Sequence, residues 1–148
     1  MKTLEEVLEA WETDCQIPRN DLAETSRITP ALHAKYLGVL SNTKLRLKKA
    51  EMDQKTLLKD KWLYYNGKMD QEEIDARGWA YDPLEGLKVL KGDMDYYYDS
   101  DKEIQESELK IEYLKAMLNT LTDIVDALKW RHQTIGNMIK WKVFESGG

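Results

Sequence analysis

Cysteine, phenylalanine, histidine and proline are all scarce in this chain of 148 residues, which holds one, one, two and three of them. A lone Cys15 forms no intramolecular disulfide, and with only His33 and His132 beside it a structural Cys/His zinc site is excluded. No apolar run has the length of a membrane span. The acidic start MKTLEEVLEAWE also lacks the positive charge and apolar centre of a secretory leader, so the expected compartment is the cytoplasm. Positive charge is in deficit as well: 22 Lys and Arg face 27 Asp and Glu, a net of -5, which rules out a globally basic, histone-like binder of nucleic acid. Any nucleic-acid surface must be local. The sequence has no phosphate-binding G-x-x-x-x-G-K-[ST] loop, no nucleophile elbow and no Glu-x-x-His pair, and the expectation is a protein that is not an enzyme and uses no cofactor.

What is present is charge sorted by position. Residues 1–26 carry a net of -5, residues 44–61 a net of +4 and residues 93–108 a net of -6, while residues 127–144 hold Lys129, Arg131, Lys140 and Lys142 with no acid. The breakers are sorted too, with glycines at 67, 78, 86 and 92 and Pro83 among them. A short amphipathic helix at about 3–14 with Leu4, Val7, Leu8 and Trp11 on one face opens the chain. Thr29-Pro30 reads as N-cap and first helical residue of a helix running from about 30 to 66, near 54 Å at about 1.5 Å per residue. An irregular connection over 67–99 follows. Ser100 with Glu103 then makes a capping box for a second long helix at about 101–144, near 66 Å in length. The expected fold is a single all-α domain over 1–148, a long antiparallel helical hairpin with a coiled-coil-like C-terminal helix.

That C-terminal helix has the clearest periodicity. Ile104, Ser107, Ile111, Leu114, Leu118, Leu121, Val125, Leu128, His132, Ile135 and Ile139 follow an unbroken 3,4 alternation, and Met117, Ile124 and Met138 widen the stripe. The stripe of the preceding helix, Tyr36, Leu40, Leu47, Ala50 and Leu57, is sparser and covers one flank. The remaining flank calls for further copies. Ile111, Leu114, Leu118, Leu121, Val125, Leu128, Ile135 and Ile139 are therefore expected at a homo-oligomer interface; the alternative is a bundle in which the same stripe is the subunit's own core.

The basic segment has the pattern of a single-strand binder. On a helix Lys44, Lys48, Lys55 and Lys59 fall within about 60° of one another, and Trp62 shares their strip. Four ammonium groups suit a phosphate backbone, and Trp62, Tyr64 and Tyr65 offer faces on which unpaired bases stack. Lys61 lies on another face near the helix end. The bland alternative is a solvated charged surface on a coiled-coil scaffold that binds no DNA. Asp93, Asp95, Asp99 and Asp101 space like a loose calcium loop but lack its central glycine and closing glutamate, so no metal site is expected there.

Two stretches are familiar. AEMDQKTLLKDKWLYYNGK (50–68), a basic helix ending in Tyr-Tyr-Asn-Gly, resembles part of the UvsY recombination mediator family of T-even-type phages, and IVDALKWRHQTIGNMIKWKVFESGG (124–148) resembles that family's terminal helix. The resemblance implies a non-enzymatic protein of homologous recombination in the cytoplasm of the infected host. It implies binding of single-stranded DNA, contacts with the phage single-strand-binding protein and the RecA-like recombinase UvsX, and a ring-like homo-oligomer, a heptamer, closed through the C-terminal region. It assigns DNA contacts to Lys55, Lys59 and Lys61, with Asp60 standing between the last two as a departure in charge. Lys44 and Lys48 rest on helix geometry alone.

Overall fold

The computed structural model describes Met1–Gly148 and is all-α, without a strand. Five helices follow in order: α1 (Leu4–Asp14), α2 (Leu22–Tyr65), α3 (Gln71–Arg77), α4 (Met94–Ser100) and α5 (Lys102–Glu145). They divide into one packed unit of Met1–Arg46 with Leu114–Gly148 and another of Leu47–Tyr113. No helix is long and apolar enough to cross a membrane.

In the first unit, Thr3 caps α1 by accepting the Glu6 N–H on its hydroxyl at 3.1 Å, which satisfies one of the donors a helix start leaves unpaired. Val7 buries completely among Tyr36 and Leu40 of α2 and Met117, Leu121, Ile124, Val125 and Leu128 of α5. Leu4 and Trp11 pack partly against this core, and Trp11 meets Tyr36 edge-on at 5.6 Å. Leu8 does not join them and stays exposed. Arg19 pairs with Glu145, and Arg46 lies on Met117, so α2 and α5 run antiparallel here.

The start of α2 departs from the sequence expectation. The helix begins at Leu22, not at Thr29-Pro30, and Pro30 lies inside it. Proline leaves the carbonyl four residues earlier without its helical donor. The turns before it are held by burial of Leu22 and Thr25, and the Thr25 and Thr29 hydroxyls donate to the Asp21 and Thr25 carbonyls at 2.8 and 2.7 Å. Burial thus outweighs the local stop signal.

In the second unit α2 ends at a glycine. Gly67 takes φ +68°, and the N–H groups of Gly67 and Lys68 turn back to the carbonyls of Tyr64 and Leu63 at 3.2 and 2.8 Å. This left-handed C-cap closes the helix and sets the direction of Lys68. The connection expected to be irregular contains α3 and α4, and Tyr64, Met69 and Ile74 form a small core with Leu63, Tyr65 and Trp79 around it. Asp101, not Ser100, caps α5: its Oδ1 accepts the Ile104 N–H at 3.1 Å, while the Ser100 hydroxyl donates back into α4 at the Tyr96 carbonyl. A carboxylate at the positive helix end is the stronger partner.

The oligomer-interface expectation is corrected by burial. Ile111, Leu114, Leu121, Val125, Leu128 and Ile135 are all buried within their own subunit, Leu118 is half-buried, and only Ile139 stands out at 47% exposure. The reason is a third helix: α1 brings Val7, with Tyr36 and Leu40 of α2, into one core with Met117 and Ile124, each one position before the seam. Met117, Ile124 and Arg131 are accordingly buried, while His132 and Ile139 turn outward. Arg131 makes one hydrogen bond, from its Nη2 to the Gln16 carbonyl at 2.8 Å, and acts electrostatically on Asp14, while its buried Nε and Nη1 have no hydrogen-bond partner.

Candidate nucleic-acid interface

Within the second unit the outer surface of α2 carries Lys48, Met52, Lys55, Lys59 and Trp62 at intervals of four, three, four and three residues. At 100° per residue these five occupy an arc of about 80° and extend over about 21 Å. All five are exposed, Trp62 at 40%. Lys44, also exposed, lies on the α2 segment that belongs to the first unit. The neighbouring Lys49 is tied to Asp53 at 3.1 Å in an exposed pair, a geometry worth little in water.

Lys68 and Asp60 complete this surface, and periodicity alone identified neither role. Turned back by the Gly67 cap, Lys68 places its Nζ 4.8 Å from the Trp62 ring centroid, a cation–π distance that holds the indole beside a positive charge. Asp60, which in the sequence subtracts from the basic segment, pairs with Arg77 of α3 at 2.9 Å, and its side chain is mostly buried. Its charge is compensated seventeen residues away. Asn66-Gly67 was the available signal for Lys68; nothing local announced Arg77.

Three residues expected on the same surface are not there. Lys61 is only 4% exposed, and its Nζ lies 3.0 Å from Asp101 Oδ2, 3.7 Å from Glu103 Oε1 and 3.8 Å above the Trp79 ring. Tyr64 is buried, its ring against Trp79 at 4.9 Å and its hydroxyl donating to the Ala80 carbonyl. Tyr65 donates its hydroxyl to Asp101 Oδ2 at 2.7 Å. These side chains point into the unit because they lie roughly opposite Lys59 on the helix, so neither tyrosine presents a free face for a base. Of the aromatic side chains Trp62, Tyr64 and Tyr65, only Trp62 is exposed.

Asp101 is the hub of that interior. Burial pushes its carboxyl up, but the hydroxyl of Tyr65, the N–H of Ile104 and the ammonium of Lys61 together outweigh burial and hold it below its ordinary value. Burial and the neighbouring Asp101 carboxylate raise the phenols of Tyr64 and Tyr65, which stay neutral hydrogen-bond donors at physiological pH. Of the four aspartates spaced like a calcium loop, Asp101 is thus committed to Lys61, and nowhere do three or more His, Cys, Asp or Glu converge in a way that holds a metal ion.

A second exposed surface lies in the first unit at the end of α5. Ile139, Trp141, Val143 and Phe144 are all exposed, Trp141 meets Phe144 edge-on at 5.7 Å, and Lys140 and Lys142 stand among them. Trp130 is exposed further up the helix and stacks near His132. Four large apolar side chains clustered in one helical stretch form the kind of patch that marks an interaction site.

Comparison with known proteins agrees with both the fold and the sequence. Residues 10–148 match the family described as "Recombination, repair and ssDNA binding protein UvsY". The recombination protein uvsY of Enterobacteria phage T4 is 25% identical over 144 residues, covering 97% of this chain and 98% of that one. One crystal structure of the bacteriophage T4 recombination mediator protein UvsY has a TM-score of 0.81 at 22% identity and covers 99% of both chains. A second crystal form gives 0.79 at 21% identity, covering 95% and 98%.

Proposed function

The chain belongs to the UvsY family of recombination and repair proteins, and on that premise we propose that it is a phage recombination mediator that binds single-stranded DNA and promotes loading of a RecA-like recombinase. The strand runs along the outer face of α2, where Lys48, Lys55 and Lys59 meet phosphates and Trp62, flanked by Lys68, stacks a base. The observation that carries this reading is the stripe itself: three exposed lysines and an exposed indole in one 80° arc, with the nearby Asp60 charge already taken by Arg77. Stacking needs an accessible base face, so single strands are preferred over duplex.

Three lysines per subunit make a modest site, and repetition strengthens it. We assign homo-oligomerisation, as a heptameric ring in line with the family resemblance, to the exposed end of α5 around Ile139, Trp141, Val143 and Phe144. Several stripes then engage one strand, and the tethered sites gain avidity without new contacts. A strand bent over several subunits loses the regular lattice of the phage single-strand-binding protein and is offered to the recombinase UvsX, the partners this reading assigns in the cytoplasm of the infected host. The role needs no catalysis, cofactor or metal. A non-DNA-binding scaffold leaves the exposed lysines and indole without a purpose; Glu51, at the edge of the stripe between Lys48 and Lys55, is the one acid that subtracts from it.

The test is a loading assay. Strand-dependent ATP hydrolysis by the recombinase on strands coated with the single-strand-binding protein shows a lag, and the chain is expected to shorten it in proportion to its concentration. An unchanged lag at saturating protein rejects the mediator role.

A further inference from the structure

Lys59 and Lys61 are two positions apart on one helix, a rotation of about 200°, so a single strand lying along α2 cannot meet both. Lys59 faces outward, and Lys61 is closed inside the second unit. We propose that Lys61 is a positioning residue: its ion pair with Asp101 fixes the rotation of the last turns of α2, and so the outward aim of Lys59 and Trp62. This rests on the DNA-binding reading above and assigns Lys61 a part in it without contact to the strand.

The geometry is that of a two-point lock. Lys61 and Tyr65 are one turn apart on the inner face of α2, and both reach the same atom, Asp101 Oδ2, at 3.0 and 2.7 Å. Two contacts spaced along the helix axis and converging on one acceptor oppose both rotation and sliding of α2. The acceptor is itself immobilised, because the other oxygen of Asp101 caps α5 at the Ile104 N–H. From the third side, the Trp79 ring lies 3.8 Å from Lys61 Nζ, and its Nε1 donates to Glu103 Oε1, while Arg77 holds Asp60 at 2.9 Å. Trp62 follows Lys61 directly in the chain, and Lys59 precedes it by two. A turn of α2 by one residue position would swing both out of the stripe by 100°.

The energetics favour positioning over stability as the reason for this arrangement. A buried ion pair is often no more stabilising than well-packed apolar residues of the same volume, since each charge forfeits hydration, but it specifies one geometry. Nor does the ammonium of Lys61 have charge to offer a phosphate: a carboxylate 3.0 Å away neutralises it, and the ring of Trp79 covers it.

Fluorescence anisotropy of a labelled oligothymidylate at several salt concentrations separates contact from positioning, because each phosphate contact on a single strand adds about 0.7 to the salt slope. Lys59→Ala is expected to lower affinity and reduce the slope by about 0.7. Lys61→Met and Asp101→Asn are each expected to weaken binding several-fold with the slope unchanged, and the two combined no more than either alone. Asp101→Asn is the sharpest arm, since removing an acid strengthens DNA binding if charge alone matters. Tyr65→Phe removes one hydroxyl, is expected to fold even where Lys61→Met does not, and should show a smaller loss at the same slope. A slope reduced by one contact in Lys61→Met, or unchanged affinity in both Asp101→Asn and Tyr65→Phe, overturns the positioning role while leaving the DNA-binding reading intact. Absence of strand binding by the unaltered protein, or an unchanged slope in Lys59→Ala, overturns both.

Discussion

Replacing Leu121 by alanine separates the two uses to which the α5 stripe can be put. Leu121 is fully buried among Val7, Tyr36, Leu40, Met117 and Val125 of its own subunit. The substitution removes about three carbons, each worth roughly 0.8 kcal/mol of transfer free energy, and leaves a cavity that a three-helix core closes only partly. The sum is a loss of about 3–4 kcal/mol, inside the range of roughly 2–5 for buried leucines. With a urea slope of about 1–3 kcal/mol per molar, the midpoint falls by at least ~1 M. Circular dichroism at 222 nm follows the transition, run at two protein concentrations about a hundredfold apart. An intramolecular core predicts the same shift at both concentrations, whereas an interface predicts a loss coupled to dissociation, since subunit association stabilises by mass action. A midpoint unchanged at low concentration, with the shift confined to high concentration, refutes the assignment of Leu121 to the subunit core.

Phe144→Ala combined with Trp141→Ala should do the reverse: both side chains are exposed, so subunit stability moves by no more than about 0.5 kcal/mol each, while the assembled mass measured by light scattering falls. The pH dependence of stability follows from the carboxyls and phenols of the two cores. At Asp14, burial works upward, but hydrogen bonds from Lys35 and Tyr36 outweigh it and leave the carboxyl below its ordinary value, as at Asp101. A carboxyl lowered in the folded state contributes stability that is complete above its unfolded value, near 3.8, and is lost as pH falls through the folded one. At the alkaline end, Tyr36 and Tyr65 are raised by burial and by their carboxylate partners, so their contribution is complete below about 10 and is lost as pH rises beyond it. Urea midpoints are therefore expected to be flat between roughly pH 5 and 8 and to fall on both sides. Asp101→Asn should diminish the acid limb, and an unchanged acid limb in that variant argues against the hub.

How far the sequence could be read depended on whether the deciding contacts were local. The bounds of α5 lie within a residue or two of those the sequence predicts, because a long apolar period is a local signal, although its cap is Asp101 and not the expected Ser100. The start of α2 was misplaced at Pro30 because the burial that holds the turns before it comes from distant parts of the chain. The same division runs through the site. Lys48, Lys55, Lys59 and Trp62 follow from helical spacing alone, and the structure leaves them exposed. Lys61, Tyr64 and Tyr65 have the same composition signal, yet their directions are set by Asp101, Trp79 and Ala80, fifteen to forty residues further on. Asp60 looked like a defect in the basic surface until Arg77 was seen beside it. Most of the apolar seam of α5 is buried within the subunit and Ile139 alone stands exposed, since a hydrophobic period fixes which face is buried but not what buries it.

The most direct test compares the unaltered protein with a variant carrying Lys48→Ala, Lys55→Ala and Lys59→Ala, titrated with a single-stranded oligonucleotide and with its duplex across a range of salt. Tighter binding of the single strand is expected, with a slope of log affinity against log salt that is shallower in the variant by about 2, three contacts at about 0.7 each. Equal affinity for both forms of DNA, or a variant whose affinity and slope match those of the unaltered protein, contradicts the account.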